Sequence, residues 1–422
     1  MKYDILHLWY LGDPSLPVYV GTLQHAKPPY YGVSLRYAES WKANGFNLAP
    51  NMELSLVECF PPKRQEVSES QGAGAVDDAR PDRWGERVIQ RVLNQGTTNS
   101  LMEYLYFAGD DRFGALGVST SSQTYKPAPQ GPLATLDDVP SMADVVQKIQ
   151  ERDPLSEMEA ALLRSGGSLG GAKPKALVKV EDKEWVIKFN PLGSSVDTAL
   201  IEYASMTLAQ TCGLDVAPTQ SIPLIDGHAL LVQRFDRVGP YRLHTLSAGT
   251  LLRAQGLEPE QAGYPGLATW LRLYGASWQE DNRELFGRMV FNIAMANEDD
   301  HEKNHAVLMT PTGFRLSPAY DVLPTLSGQG HQQFTCGSLG VESSLANAMT
   351  QYQTFGLSER DALDIVSHVV SACGYVQKNQ RFTQSENVYG WRSYVQHTMQ
   401  STGFCPFCWT NEKRRAPIAL CI

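Results

Sequence analysis

Over the first 125 positions, apolar and polar residues alternate in short runs, as in residues 17–22 (PVYVGT) and 52–58 (MELSLVE). This alternation predicts strands, with one helical stretch near residues 87–93 (RVIQRVL). Residues 119–140 are rich in Ser, Thr, Gln and Pro, and a linker is expected over 126–140. An amphipathic helix over about 141–152 follows. The segment 168–175 (SLGGAKPK) then runs into a strand at 176–180, a polar turn at 181–184 and a strand at 185–189 (WVIKF). Residues 197–210 have helical spacing, with Leu200, Tyr203, Ala204, Thr207 and Leu208 on one face and Gly213 as the stop. Strands are expected at 219–224 and 228–233, meeting at the turn Asp226-Gly227 and running into 234–237. Leu285, Met289, Val290, Ile293 and Ala296 mark a helix face that ends at Asn297. Two short strands, 306–309 and 314–317, flank the turn 310–313, and weakly periodic helices continue to about Gln400. The expected division is an α+β unit over 1–125, a linker, a β-rich lobe over 141–240, a helical lobe over 241–400 and an irregular tail over 401–422.

At 422 residues, 42% hydrophobic and 19% charged, the chain can bury full cores in two or three subdomains. Its net charge of −9 argues against a free-standing nucleic-acid binder, so contact with DNA is expected only through a partner. The opening MKYDILHLWY lacks the features of a signal peptide, and no run approaches the ~18 apolar residues of a membrane span. A soluble, cytoplasmic protein without membrane attachment is expected. Seven scattered cysteines do not form a disulfide framework, and most are expected as buried thiols. Cys405 and Cys408 resemble half a zinc knuckle or a redox pair, with no second close pair to complete it.

The densest chemistry lies in residues 297–304 (NEDDHEKN) and 317–321 (SPAYD). Asp299 stands five positions before Asn304, and the hairpin between them and Asp321 would carry Asp321 back towards Asn304. That order matches a kinase's base, its metal-holding Asn and its second metal-holding Asp. Phosphoryl transfer needs charge neutralisation and alignment, so each part has a candidate. Asp299 would orient the acceptor hydroxyl, Asn304 and Asp321 would bind Mg²⁺, His301 would position the loop and Lys303 would steady the transferring phosphate. Gly170 and Gly171 allow backbone amides near phosphates, with Lys173 and Lys175 adding charge. Lys188 sits in an apolar stretch where an ammonium needs a partner, and Glu202 is the candidate. Blander readings compete: a solvated acidic loop, an ordinary Gly-Gly turn, an edge strand for Lys188 and a solvated helix position for Glu202. His301 and His305 could share a transition metal on a helix, but no third soft ligand is near.

These residues, with the stretches 78–89 (DARPDRWGERVI), 104–119 (YLYFAGDDRFGALGVS), 168–177 (SLGGAKPKAL), 233–237 (QRFDR), 297–308 (NEDDHEKNHAVL) and 316–325 (LSPAYDVLPT), resemble the HipA family of serine/threonine kinases, toxins of bacterial type II toxin–antitoxin pairs. The resemblance implies a bilobal protein-kinase-like fold with an N-terminal β-rich subdomain. It implies that Gly170, Gly171, Ala172, Lys173, Pro174 and Lys175 line the phosphates of ATP, that Lys188 binds ATP, and that Gln233, Arg234 and Phe235 meet the adenine. Asp299 would be the base. His301, Glu302, Lys303, Asn304 and Tyr320, with Asp321, would complete the nucleotide and Mg²⁺ site. Ser168 matches a serine whose autophosphorylation silences the kinase. The resemblance further implies a protein substrate in translation, such as an aminoacyl-tRNA synthetase, and a HipB-like helix-turn-helix antitoxin that tethers the pair to its operator. The alternatives are a small-molecule phosphotransferase and a catalytically idle subunit that binds an antitoxin as co-repressor.

Overall fold

The computed structural model describes residues 3–63, 71–92, 100–164, 173–257, 262–325 and 330–373. Ser168, Gly170, Gly171, Ala172, residues 374–400 of the stretch expected to be helical up to Gln400, and the tail with Cys405 and Cys408 lie outside the described residues. The N-terminal unit is built from β1 (Ile5–Tyr10), β2 (Val18–Ala26), β3 (Gly32–Tyr37), α1 (Glu39–Asn44), β4 (Gln71–Gly72), α2 (Ala75–Asp78), α3 (Arg83–Val92), α4 (Leu101–Phe107) and β5 (Leu116–Ser119). Its sheet has the order β4-β3-β2-β1-β5, antiparallel except for the parallel pair β3/β4. In β2, the buried Gly21 and Leu23 alternate with the half-buried Thr22 and Gln24, and Val20, also buried, is the residue skipped where the β1/β2 register shifts. The alternating stretch 52–58 is not a strand. The Leu54 N–H donates to Asn47 Oδ1 at 2.9 Å and the Leu56 N–H to Glu53 O at 3.1 Å, so turns take the donors a ladder needs, and Cys59 alone bridges to Leu35.

The second unit comprises α5 (Val139–Glu151), α6 (Glu157–Arg164), β6 (Lys175–Val180), β7 (Lys183–Lys188), α7 (Thr198–Thr211), β8 (Thr219–Pro223) and β9 (His228–Gln233). The four strands form an antiparallel sheet in the order β6-β7-β9-β8. Within the stretch read as a linker, Ala134 is buried and pairs with Val178 at the β6 edge, accepting the Lys179 N–H at 2.8 Å. Asp197 caps α7 by accepting the Leu200 N–H, and Gly213 follows in the left-handed region, where a side chain would be strained. The buried face of α7 is rotated from the expected one: Thr207 is exposed, whereas Glu202, Ser205 and Met206 point inward. Counting apolar residues placed the stripe wrongly because a buried charge occupies its centre.

The helical lobe begins after a small hairpin of β10 (Arg237–Val238) and β11 (Tyr241–Arg242), and contains β12 (Thr245–Ser247), α8 (Ala248–Ala254), α9 (Tyr264–Tyr274), α10 (Trp278–Ala294), β13 (Ala306–Thr310), β14 (Gly313–Leu316), α11 (Leu345–Met349) and α12 (Glu359–Ala372). Every residue from Leu285 to Ala294 is buried, so α10 is an enclosed axis and not an amphipathic surface helix. Ala296 lies beyond its end, half-buried and at φ +52°. The hairpin expected from sequence is present: Val307 pairs with Leu316 and Thr310 with Gly313 in the sheet β12-β13-β14. The Ser317 N–H donates to Ala306 O at 2.9 Å, which returns the chain beside Asn304 and sets up the approach of Asp321.

Among the described residues, no helix is long and apolar enough to cross a membrane. Cys59, Cys212, Cys336 and Cys373 are free and buried.

Candidate active site

Lys175 on β6 and Lys188 on β7 are direct cross-strand partners, so their side chains share one face of the sheet, and Lys173 lies two residues before Lys175. Facing them is Asp321, in the left-handed region at φ +58°, a conformation aspartate tolerates better than most residues. Lys188 Nζ donates to Asp321 Oδ1 at 2.9 Å and forms a short ion pair with Glu202 Oε1 of α7, while Lys173 Nζ lies 3.9 Å from Asp321 Oδ1. Glu202 is 2% exposed, which rules out the solvated position, and Lys188 at 7% does not lie on a wet edge. Burial alone would depress the Lys188 ammonium, but Asp321 and Glu202 reverse this and hold its pKa above the usual range. Burial would likewise raise the Asp321 carboxyl, and Lys188, Lys173 and Lys175 together hold it far below the usual range. Lys175 receives less compensation: burial, opposed by Asp321 and reinforced by Lys188, lowers it to about 8.

The second half of the site is the loop after α10. Asp299 is exposed at the surface and accepts a hydrogen bond from Gln333 Nε2 at 2.8 Å. Asn304 is buried, and its Nδ2 donates to the Asp299 backbone carbonyl at 3.2 Å, so one side chain ties the two ends of the motif together. Residues 302–304 form a single 3₁₀ turn capped by His301, whose Nδ1 accepts the Lys303 N–H at 3.2 Å. His301 and His305 therefore do not share an α-helical face: His305 Nε2 meets Asp300 Oδ1 at 3.0 Å, and its ring stacks on Phe334. Asp300, also bound by the Tyr264 hydroxyl, is thus a buried support beneath the loop, while its neighbour Asp299 faces outward. Glu302 packs near Gly249, where an added Cβ would meet Glu302 Cγ at 2.7 Å. Glu298 accepts the Gly330 N–H at 2.6 Å.

Tyr320 joins the halves. Its hydroxyl donates to Lys303 O at 2.8 Å, and its ring lies 5.2 Å from that of Phe235, which in turn meets Phe113 edge-on at 5.7 Å. Sequence reasoning singled out neither Phe113 nor Gln333: Phe113 lies in the stretch 104–119, to which no role at the site was assigned, and Gln333 lies beyond the last motif, 316–325. Gln233 Oε1 accepts from Lys183 Nζ at 3.4 Å at the end of β9. Arg234 departs from expectation: its guanidinium is buried against Asp236 at 2.8 Å, Asp111 O at 2.9 Å and Arg112 O at 2.8 Å, turned to the N-terminal unit. Its main-chain N–H is taken as well, donating to Glu184 O at 3.0 Å. Lys303, expected beside a phosphate, pairs with Asp82 of the N-terminal unit at 2.7 Å.

The donor set suits Mg²⁺: one carboxylate held ionised at Asp321 and one amide oxygen on an anchored Asn304 are hard ligands, of the kind Mg²⁺ takes alongside phosphate oxygens and water.

Residues 167–376 match the family model described as the HipA-like C-terminal domain. The chain is 25% identical over 351 residues to "Putative kinase Y4mE" of Sinorhizobium fredii, covering 78% of this chain and 79% of that protein. It is 23% identical over 321 residues to the serine/threonine-protein kinase toxin HipA of Shewanella oneidensis, covering 69% of each. The fold matches that of HipA in the Shewanella oneidensis complex of HipA, HipB and operator DNA, with a TM-score of 0.59 at 17% identity over 94% of this chain and 98% of that one. With this family model, these relatives and an α+β kinase-like fold, the chain belongs to the HipA family of kinases.

Proposed function

We propose that this chain is a serine/threonine protein kinase that acts as the toxin of a toxin–antitoxin pair. The observation that carries the phosphotransfer is the convergence of Lys173, Lys175 and Lys188 on Asp321, one hairpin away from the Asp299–Asn304 loop. The lysines would hold the phosphates of ATP, and Phe235, Tyr320 and the main chain after Gln233 would border the adenine. The acceptor hydroxyl would attack the γ-phosphorus as the bond to the β-phosphate oxygen breaks, with its proton passing to the exposed Asp299 carboxylate. Bound Mg²⁺ would supply charge neutralisation on the phosphates. Lys303 would steady the transferring group. Autophosphorylation at Ser168 would then switch the enzyme off.

A HipB-like helix-turn-helix protein is the proposed antitoxin, since the Shewanella complex contains HipB and operator DNA, and a chain of net charge −9 needs such a partner to reach DNA. The proposed substrate is a translation component such as an aminoacyl-tRNA synthetase, and the proposed compartment is the cytoplasm. Incubation of the purified chain with ATP labelled at the γ-phosphate tests the reading. Label on serine or threonine of protein is expected, with Ser168 among the sites. Label on small molecules alone would make the enzyme a metabolite phosphotransferase, and no turnover at all would leave an idle binding subunit.

The value near 8 for Lys175 gives the site a pH dependence. A lysine whose folded pKa lies below its unfolded one near 10.5 loses its proton first in the folded state, as pH rises through 8. Removal of that positive charge weakens triphosphate binding, so KM for ATP should rise above pH 8 with kcat little changed. In Lys175→Arg, which stays charged, the rise should vanish. A wild-type KM that is flat from pH 7 to 9 would remove Lys175 from the phosphate site. Over the same range, between 8 and 10.5, the folded chain gains stability, because the buried ammonium is no longer penalised.

A further inference from the structure

The stretch 77–84 of the N-terminal unit is fastened to both lobes. At one end, Asp78 accepts the Ser247 N–H at 2.9 Å and the Ser247 hydroxyl at 2.6 Å, and Asp77 lies 3.5 Å from Arg253, both partners belonging to the start and body of α8. At the other end, Trp84, 1% exposed, donates its indole N–H to Lys175 O at 2.7 Å and packs into the core beneath β6 and β7. Midway, the fully buried Arg112 donates to Ala79 O at 2.9 Å. Asp82 stands between these anchors, at the start of α3, where its carbonyl accepts the Glu86 N–H at 2.8 Å. Its carboxylate, 18% exposed, lies 2.7 Å from Lys303 Nζ. A carboxylate on a segment pinned to both lobes fixes a flexible lysine side chain at lower entropic cost than a carboxylate on a loop.

We propose that Asp82 is a positioning residue for Lys303, so that the N-terminal unit supplies a working part of the phosphotransfer site. The inference rests on the kinase reading above. Asp82 does not touch the reacting atoms. It holds the Lys303 ammonium where the transferring phosphoryl group passes, and the paired anchors at Ser247 and Lys175 keep that placement tied to the closure of the lobes.

Two readouts on the full chain test this. In Asp82→Asn, which keeps the shape and loses the charge, kcat should fall on the order of tenfold or more with KM for ATP unchanged. The double variant Asp82→Asn/Lys303→Met should be no slower than Lys303→Met alone, because the first substitution acts through the second residue. Independently of turnover, the rate of amine labelling of Lys303, followed by mass spectrometry, should rise in Asp82→Asn. Additive losses in the double variant, wild-type kcat in Asp82→Asn, or an unchanged labelling rate would each overturn the proposal. A wild-type chain without turnover whose Lys303 labelling still depends on Asp82 would overturn the kinase reading and the positioning role with it, while the ion pair stands.

Discussion

Replacing Asp321 by asparagine should lower phosphotransfer by on the order of 10³-fold or more, with the chain still folded. Its carboxylate is the group on which Lys188, at 2.9 Å, and Lys173, at 3.9 Å, converge, and it is the one carboxylate of the proposed Mg²⁺ pair. Asparagine is the cleaner variant because the position lies at φ +58°, which Asn adopts readily and Ala does not. Alanine would mix backbone strain into the result. Glu202 still neutralises the buried Lys188 in either variant, so the loss should appear in kcat and not as unfolding. Because the folded carboxyl lies far below its usual range, this group stays ionised from neutral pH well into acid, and it contributes no pH limb near neutrality. Retention of full activity in Asp321→Asn would break the assignment of Asp321 to the metal and phosphate site.

The parts of the site legible in sequence were those whose chemistry is local. Asp299 and Asn304 are tied by one hydrogen bond across five positions, and the β13/β14 hairpin that returns Asp321 follows from a short strand-like run on each side of a Pro-Thr-Gly turn. Lys188 was legible because an ammonium within an apolar strand demands a partner, and Glu202 was the acidic group available on the next helix. What was not legible is what long-range packing decides. Gln333 reaches Asp299 from 34 positions away, Asp82 reaches Lys303 from 221, and nothing in their local sequence separates either from a solvated side chain. The stretch 52–58 shows the opposite failure, in which alternation is real but turns consume the backbone donors. Arg234 shows a third: a basic residue next to the expected adenine position turned out to belong to the joint between units, since its partners Asp111 and Arg112 come from over a hundred residues upstream.

That joint is where the largest loss of stability is expected. Asp236, 1% exposed, accepts from Arg234 at 3.0 and 2.8 Å, from Arg237 at 2.9 Å and from the Gly114 N–H at 2.7 Å. Burial would raise its carboxyl, but the two guanidiniums override this and hold it well below the usual range. Both arginines also donate to Arg112 O, at 2.8 and 3.0 Å, so the cluster fastens the end of β9 to the loop before β5. In Asp236→Ala two adjacent buried guanidiniums lose their closest counter-charge. Glu184, 3.1 Å from Arg234 and 3.3 Å from Arg237, remains, but it is more exposed and already shared. The expected cost is about 3–5 kcal/mol, read as a lower urea midpoint. Removing one guanidinium together with the carboxylate, as in Arg234→Met/Asp236→Ala, should recover part of it, because one uncompensated charge then leaves with its partner. A single variant that unfolds at the wild-type urea concentration would mean that solvent already screens the cluster, and the N-terminal unit would then be held to the kinase lobes by its apolar contacts and by the Asp78 and Trp84 anchors instead.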